Sequence, residues 1–406
     1  MKSYKIYFDS ANRLCESNLL SSSMIHRYML ENGHKIISGP SEADFIIIDS
    51  CGFTKDFEDK SIALFKEYYS KKEKKANIIM FGCLVKINKK LIDSVDVYPI
   101  DFNEGEKFDK IFYNKTKFED IKPYCDTKKL EELYFKKLVV QPSKIIPVFL
   151  SRIMSPFSKR LRINYQKIFD NLISQNKILV EIGKGCASNC KYCSIKKTRG
   201  NVCSRQINYI LDDIEKLYDP KKELFLVADD CSCYGMDIET NLFDLLYEIK
   251  KKFPDLLIDI DNINPCWLQK YSDQYIKLFS ELDISYATIP VQSGSNRIIK
   301  DMNRNYDIQK IQEIVKKIKK VSPSTAIYTH FIICYPGEKL VDFLKTLHCA
   351  MYFDLPIAFA YSAPKDSTDS SGLWSSFTRA YRLNFFMFFL NFTVFCRLLK
   401  IPIRSK

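Results

Sequence analysis

The chain has 406 residues, 46% of them apolar and 27% charged, a globular balance that excludes a disordered or fibrous protein and leaves room for two domains. Lys and Arg number 62 against 49 Asp and Glu, and the net charge of +13 permits a nucleic-acid or anionic-membrane partner without demanding one. No secretory signal opens the sequence, so a cytoplasmic protein is expected, with its fourteen cysteines acting as metal ligands or redox groups and not as disulfides.

Tyr4–Phe8 reads as a strand, and Glu16–Glu31 has helical apolar spacing that stops at Asn32-Gly33. Asp44–Asp49 and Asn77–Phe81 are apolar runs of buried-strand type, followed by charged helical stretches at Lys55–Lys72 and Val85–Asp93. This alternation predicts a doubly wound parallel-sheet domain over residues 1–103. Residues 104–176 mix lysine and aromatics without a sustained period and are expected to form a linker or insertion. A second α/β series then begins, with strands at Ile178–Ile182, Leu224–Ala228, Leu256–Ile263, Tyr286–Val291, Ala326–Cys334 and Ile357–Ser362. Six βα units over residues 177–370 predict a partial (β/α)6 barrel, whose reactive end lies at the carboxyl ends of its strands. Residues 371–406 form an apolar, basic tail: Leu383–Cys396 is 14 residues without a charge. A helix of that length spans roughly 21 Å, short of the ~30 Å hydrocarbon core. The tail is expected to dock on the protein's own apolar surface, with membrane contact the less favoured option.

Gly185-Cys186-Ala187-Ser188-Asn189-Cys190-Lys191-Tyr192-Cys193 carries a C-x3-C-x2-C pattern directly after the first barrel strand. Three thiolates on a short loop suit three irons of a [4Fe–4S] cluster and leave the fourth open to a ligand. An open iron that chelates S-adenosylmethionine can deliver an electron to its sulfonium and release a 5′-deoxyadenosyl radical. The competing reading is a zinc site with Cys203 as fourth ligand. In the N-terminal domain, Cys15, Cys51 and Cys83 each follow a predicted strand, so three cysteines far apart in sequence are expected to meet at one sheet edge.

The segment GCASNCKYCSIKKTRGNVCSR resembles the radical S-adenosylmethionine methylthiotransferase family, in which the cysteine triad is followed by Arg-Gly and Ser-Arg, here Arg199-Gly200 and Ser204-Arg205. Asp230, Tyr234-Gly235, Val291-Gln292-Ser293-Gly294-Ser295 and Tyr335-Pro336-Gly337-Glu338 match the family's later motifs, each after a predicted strand. The resemblance implies a radical-generating cluster on Cys186, Cys190 and Cys193. It also implies a second [4Fe–4S] cluster on Cys15, Cys51 and Cys83, and cofactor contacts from Arg199, Arg205, Asp230, Gln292, Ser293, Gly337 and Glu338. An external flavodoxin- or ferredoxin-like electron donor goes with that chemistry. Leu14 stands where the family has Gly, His330 where an acidic residue is common, and no strands match its C-terminal β-barrel. The expected activity is insertion of a methylthio group at an unactivated C–H bond of a peptide or small molecule. The alternatives are a tRNA adenosine substrate and a non-catalytic zinc-binding protein. His330 is a further candidate substrate contact, as are Cys231 and Cys233 for a role near the site, whereas Cys125, Cys266, Cys349 and Cys396 are expected to be packing residues.

Overall fold

The computed structural model describes residues 2–12, 15–71, 76–127, 177–362, 378, 381–386, 388 and 389. Most of the linker, the stretch Ala363–Thr368 and the tail beyond residue 389 lie outside the described residues. The N-terminal sheet contains β1 (Lys5–Ser10), β2 (Lys35–Ile36), β3 (Phe45–Ser50), β4 (Asn77–Gly82) and β5 (Tyr98–Ile100). All are parallel, in the order β2-β1-β3-β4-β5. Alternation along the strands buries both faces. Phe45 and Ile47 pack with Ile25, Met29, Phe108 and Phe112 on one side. Ile46 and Ile48 pack with Phe65, Tyr68 and Leu84 on the other.

The second sheet contains β6 (Tyr124–Asp126), β7 (Lys177–Glu181), β10 (Glu223–Val227), β11 (Leu257–Ile260), β12 (Ile284–Thr288), β13 (Ala326–Ile333) and β14 (Leu355–Ala360). Between β7 and β10, a short antiparallel ribbon pairs β8 (Gly183–Lys184) with β9 (Cys203–Ser204). The order is β14-β13-β12-β11-β10-β7-β6, with six parallel strands and β6 antiparallel at the edge beside β7. The outward residues Ile178, Val180, Leu224, Leu226, Ile258 and Ile260 enter the core under the surrounding helices. The inward residues Leu179, Phe225, Val227 and Tyr286 pack instead with Leu19 and Leu20 from the first helix of the N-terminal domain. That helix, Glu16–Glu31, therefore fills the open side of the partial barrel.

Several expectations shift in detail. The helix expected at Val85–Asp93 is two short ones, Cys83–Ile87 and Lys89–Ile92. Asn88 breaks them apart, its side chain capping Leu91 N at 3.3 Å and donating to Glu58 at 2.7 Å. The first part of the lysine- and aromatic-rich stretch is ordered: helix Glu106–Phe112 buries Phe108 and Phe112 in the N-terminal core, and β6 joins the barrel sheet. The described tail residues dock on the barrel. Phe386 is fully buried against Phe331, with ring centroids 5.7 Å apart, and Arg382 donates to Glu338 at 2.8 Å. Among the described residues no helix is long and apolar enough to cross a membrane.

His26 is fully buried and stacked on Phe8 at 3.9 Å, and burial pulls its imidazole down to about 3. The folded value lies below the unfolded one of about 6.5, so the folded state binds fewer protons. Its contribution is intact above about pH 6.5 and is lost as pH falls toward 3. Denaturant unfolding at pH 7.5 and pH 5 should show the parent chain losing about 2 kcal/mol more than a His26→Phe variant.

Candidate functional site

Three neighbouring parallel strands carry the first set of thiols to one edge. Cys15 precedes helix Glu16–Glu31 in the connection after β1, Cys51 follows β3 directly, and Cys83 opens the helix after β4. Asp49 is buried beneath them and ties the elements together. Its carboxylate accepts from Asn18 Nδ2 at 3.1 Å, Ser10 Oγ at 3.1 Å and Ser22 Oγ at 3.2 Å. Gly82, just before Cys83, has φ +114°, and a Cβ there would lie 2.5 Å from Ser50 O, so the tight turn requires glycine. Burial, then the charges of Cys51, Glu16 and Cys83, push the Cys15 thiol well up. Burial pushes Cys83 up to about 12. Three thiolates in such a place need a compensating cation, which suits a cationic metal group.

The second set sits on the loop after β7 and β8. Gly185 has φ +77°, its N–H donates to Asp229 Oδ2 at 2.8 Å, and an added Cβ would come within 2.0 Å of Asn201 O. Cys186 Sγ accepts from Ser188 N at 3.3 Å, Cys193 Sγ accepts from Ile195 N at 3.5 Å, and Lys191 N donates to Met302 O at 3.1 Å. Burial raises Cys190 and pushes Cys193 up to about 12. Arg304 lies beside this loop, donating to the Tyr192 hydroxyl at 2.7 Å and to Asn264 Oδ1 at 3.1 Å. Asn264 Nδ2 in turn donates to Asp230 Oδ2 at 2.9 Å and Ser188 Oγ at 3.0 Å.

All six cysteines line one cavity of about 820 Å³, between the N-terminal domain and the carboxyl ends of the barrel strands. Arg199, Asp230 and Gln292 line it as well, as does His330, whose imidazole burial pulls down to about 4. Arg205, Ser293, Gly337 and Glu338 do not line it. Arg205 is spent on Glu181 O at 2.7 Å and Asp213 at 2.5 Å, and Ser293 Oγ accepts from Ser295 N at 3.2 Å. Gly337 O accepts from Arg297 at 2.8 Å, and Glu338 accepts from Cys334 N and Arg382, both at 2.8 Å. These four hold the loops that shape the site. Cys203 is exposed on β9 and outside the cavity wall. The grouping of described residues tight enough for a single ion is instead Cys186, Asp230 and Cys233, within 4.8 Å of one another. Arg304, Asn264, Asp229, Glu16 and Asp261 also line the cavity, and no motif or spacing in the sequence marked them.

Residues 180–350 match the radical SAM superfamily, and residues 11–99 match the uncharacterized protein family UPF0004. A probable threonylcarbamoyladenosine tRNA methylthiotransferase of Pyrococcus abyssi is 27% identical over 339 residues, covering 82% of this chain and 71% of that protein. The ribosomal protein uS12 methylthiotransferase RimO of Thermosipho melanesiensis is 29% identical over 364 residues, covering 88% and 76%. Among solved structures, the cobalamin-dependent S-adenosylmethionine radical enzyme OxsB with aqua-cobalamin bound superposes with a TM-score of 0.50 at 12% identity. That match covers 98% of this chain but only 56% of the other, so the chain spans little more than half of OxsB, and the likeness speaks for the fold alone.

Residues 180–350 carry a radical SAM domain, of the superfamily that works with S-adenosylmethionine and a [4Fe–4S] cluster. The two curated relatives above, at 27% and 29% identity, are methylthiotransferases. The loop from Gly185 to Cys193 fits such a cluster, since its three thiols line one cavity and its turn admits no Cβ at Gly185. A Gly185→Ala chain should therefore lose about four irons relative to the parent after anaerobic reconstitution. Iron and sulfide counts check this, and an undiminished count would show that the loop does not hold the metal.

Proposed function

We propose that the chain inserts a methylthio group at an unactivated C–H bond of a peptide or small molecule, using two [4Fe–4S] clusters and S-adenosylmethionine. The observation that carries this reading is the opening of both cysteine trios onto one cavity. Cys186, Cys190 and Cys193 hold one cluster, and Cys15, Cys51 and Cys83 hold the other. When bound, the first supplies the electron that cleaves the sulfonium and so yields the hydrogen-abstracting radical, and the second supplies sulfur. The electron comes from an external flavodoxin- or ferredoxin-like donor.

Around the barrel trio, Asp230 is oriented by Asn264, and Gln292 is held at φ +64° with its backbone bonded to His330 O and Ile332 N. Both are assigned to S-adenosylmethionine. Arg199 and Arg304 both line the cavity and are assigned to the cofactor carboxylate, whereas Arg205 is already spent on Glu181 and Asp213. Tyr286, Thr288, Tyr328 and His330 form the substrate wall, with Glu16 and Asp261 among them. Burial raises Glu16, and burial with the charge of Glu16 raises Asp261 well above the ordinary carboxylate range. A wall of aromatic rings and carboxyls kept uncharged by burial accepts a neutral, hydrogen-bonding group. This favours a peptide side chain or small molecule. The net charge of +13 and the tRNA-modifying relative support the second reading, a tRNA adenosine substrate.

Anaerobic reconstitution should give about eight irons per chain, and fewer than about seven would contradict two clusters. Cys186→Ala should abolish 5′-deoxyadenosine formation. Mass spectrometry of tRNA nucleosides from a deletion strain should show methylthio-adenosine unchanged, and its loss would overturn the substrate assignment in favour of tRNA. A colourless anaerobic preparation with stoichiometric zinc would refute the enzymatic reading altogether.

A further inference from the structure

We propose that the outer faces of two adjoining helices, Leu340–Ala350 and the tail helix, dock the chain on an anionic phospholipid surface. Helix Leu340–Ala350 follows β13 and turns Phe343, Leu347 and Ala350 into the barrel core. Its opposite face opens with Leu340, Val341 and Leu344 and continues with Lys345 and His348, all exposed. In the tail, residues 381–386, 388 and 389 are helical. Phe386 is buried there, with Leu383 and Phe389 packed beside it on the barrel. Tyr381, Phe385 and Phe388 fall on the other side, at the spacing of one helical face. These six outward apolar side chains are 40% to 63% exposed. They belong to one patch, because the helices touch. The Phe385 and Phe343 ring centroids are 6.3 Å apart, and Arg382 lies over the same Phe343 ring at 5.3 Å. A patch of this kind calls for an apolar partner.

Charge selects lipid as that partner. Residues 374–406 contain six Lys and Arg and no Asp or Glu. Lys339 and Lys345 are exposed beside the aliphatic side chains of the first helix. The acids of that stretch, Glu338 and Asp342, are buried and answered by Arg382 and Arg297. The patch is therefore apolar, ringed by cations and without an outward carboxylate on its first helix. That is the composition of an interfacial helix, whose apolar side chains enter the acyl boundary while Lys and Arg meet lipid phosphate. Tyr381 adds an amphipathic ring suited to the headgroup level. Two copies paired through this face would set their cations against each other, which disfavours a dimer as the occupant. Leu383 and Asn384 of the tail helix line the cavity, so the docking face adjoins the site.

The test floats the full, metal-loaded chain with vesicles of phosphatidylcholine alone and of phosphatidylcholine mixed with phosphatidylglycerol. The parent should bind the anionic vesicles and not the neutral ones, and added salt should weaken the binding. Leu340→Asn with Leu344→Asn, and separately Phe385→Ser with Phe388→Ser, should each weaken it roughly tenfold or more. Hydroxyl-radical footprinting of the parent needs no substitution: the vesicles should suppress oxidation of Leu340, Val341, Leu344, Tyr381, Phe385 and Phe388. Flotation with neither vesicle, or equally with both, overturns the proposal. So does flotation that leaves the oxidation of these six side chains unchanged, which would place the lipid contact on another basic surface. A dimer in sedimentation that both double variants dissolve, with no vesicle binding, overturns it in favour of a second copy.

Discussion

The contact on which the rest depends is the burial of Leu19 and Leu20 inside the partial barrel, against Leu179, Phe225, Val227 and Tyr286. A six-stranded barrel is open on one side, and its lumen would be wet without a plug. The first turns of helix Glu16–Glu31 supply that plug, and each leucine contributes about 1.5–3 kcal/mol by leaving water. Cys15 immediately precedes this helix, so the packing that closes the lumen also delivers a thiol to the barrel mouth. Helix Ile195–Arg199 against helix Cys83–Ile87, and Phe53 against Phe359 at 5.8 Å, extend the seam around the cavity.

Charge follows from the same closure. The cavity holds thiols, carboxyls and two guanidiniums in a place of restricted water, where burial raises five of the six cysteines. Cys186 is the exception, lowered by a hydrogen bond from Cys233. Thiols of this kind stay protonated until metal replaces the proton, so loading releases protons and is favoured as pH rises. Deeper in the lumen the buried Lys177–Asp259 pair is supported by Ser285 and flanked by Phe225 and Tyr286. A buried pair of this kind is weak as a source of stability, but removing one partner would leave an uncompensated charge.

Much of this was legible in the chain. Apolar runs such as Ile46–Ile48 and Ile78–Phe81 mark strands buried on both faces, and cysteines just after them fall at the edge where parallel sheets form sites. Less legible were β2 and β5, too short to carry a period, and helix Glu106–Phe112, whose Phe108 and Phe112 are four apart but hidden among lysines. Asn88 reads as an ordinary helix residue until Glu58 and Leu91 engage its side chain. Motif matches at Arg205 and Glu338 located the right loops, but their charges answer Asp213 and Arg382. Arg304 meets Tyr192 across more than a hundred residues, a contact that only the folded barrel creates.

The most direct test of a single shared cavity is magnetic. Electron paramagnetic resonance of the fully reduced chain is compared with chains in which Cys186 or Cys51 is replaced by Ala. The account predicts spin–spin broadening in the parent that neither variant shows. A parent spectrum equal to the sum of the two variant spectra would contradict it, because two clusters sharing one cavity would sense each other.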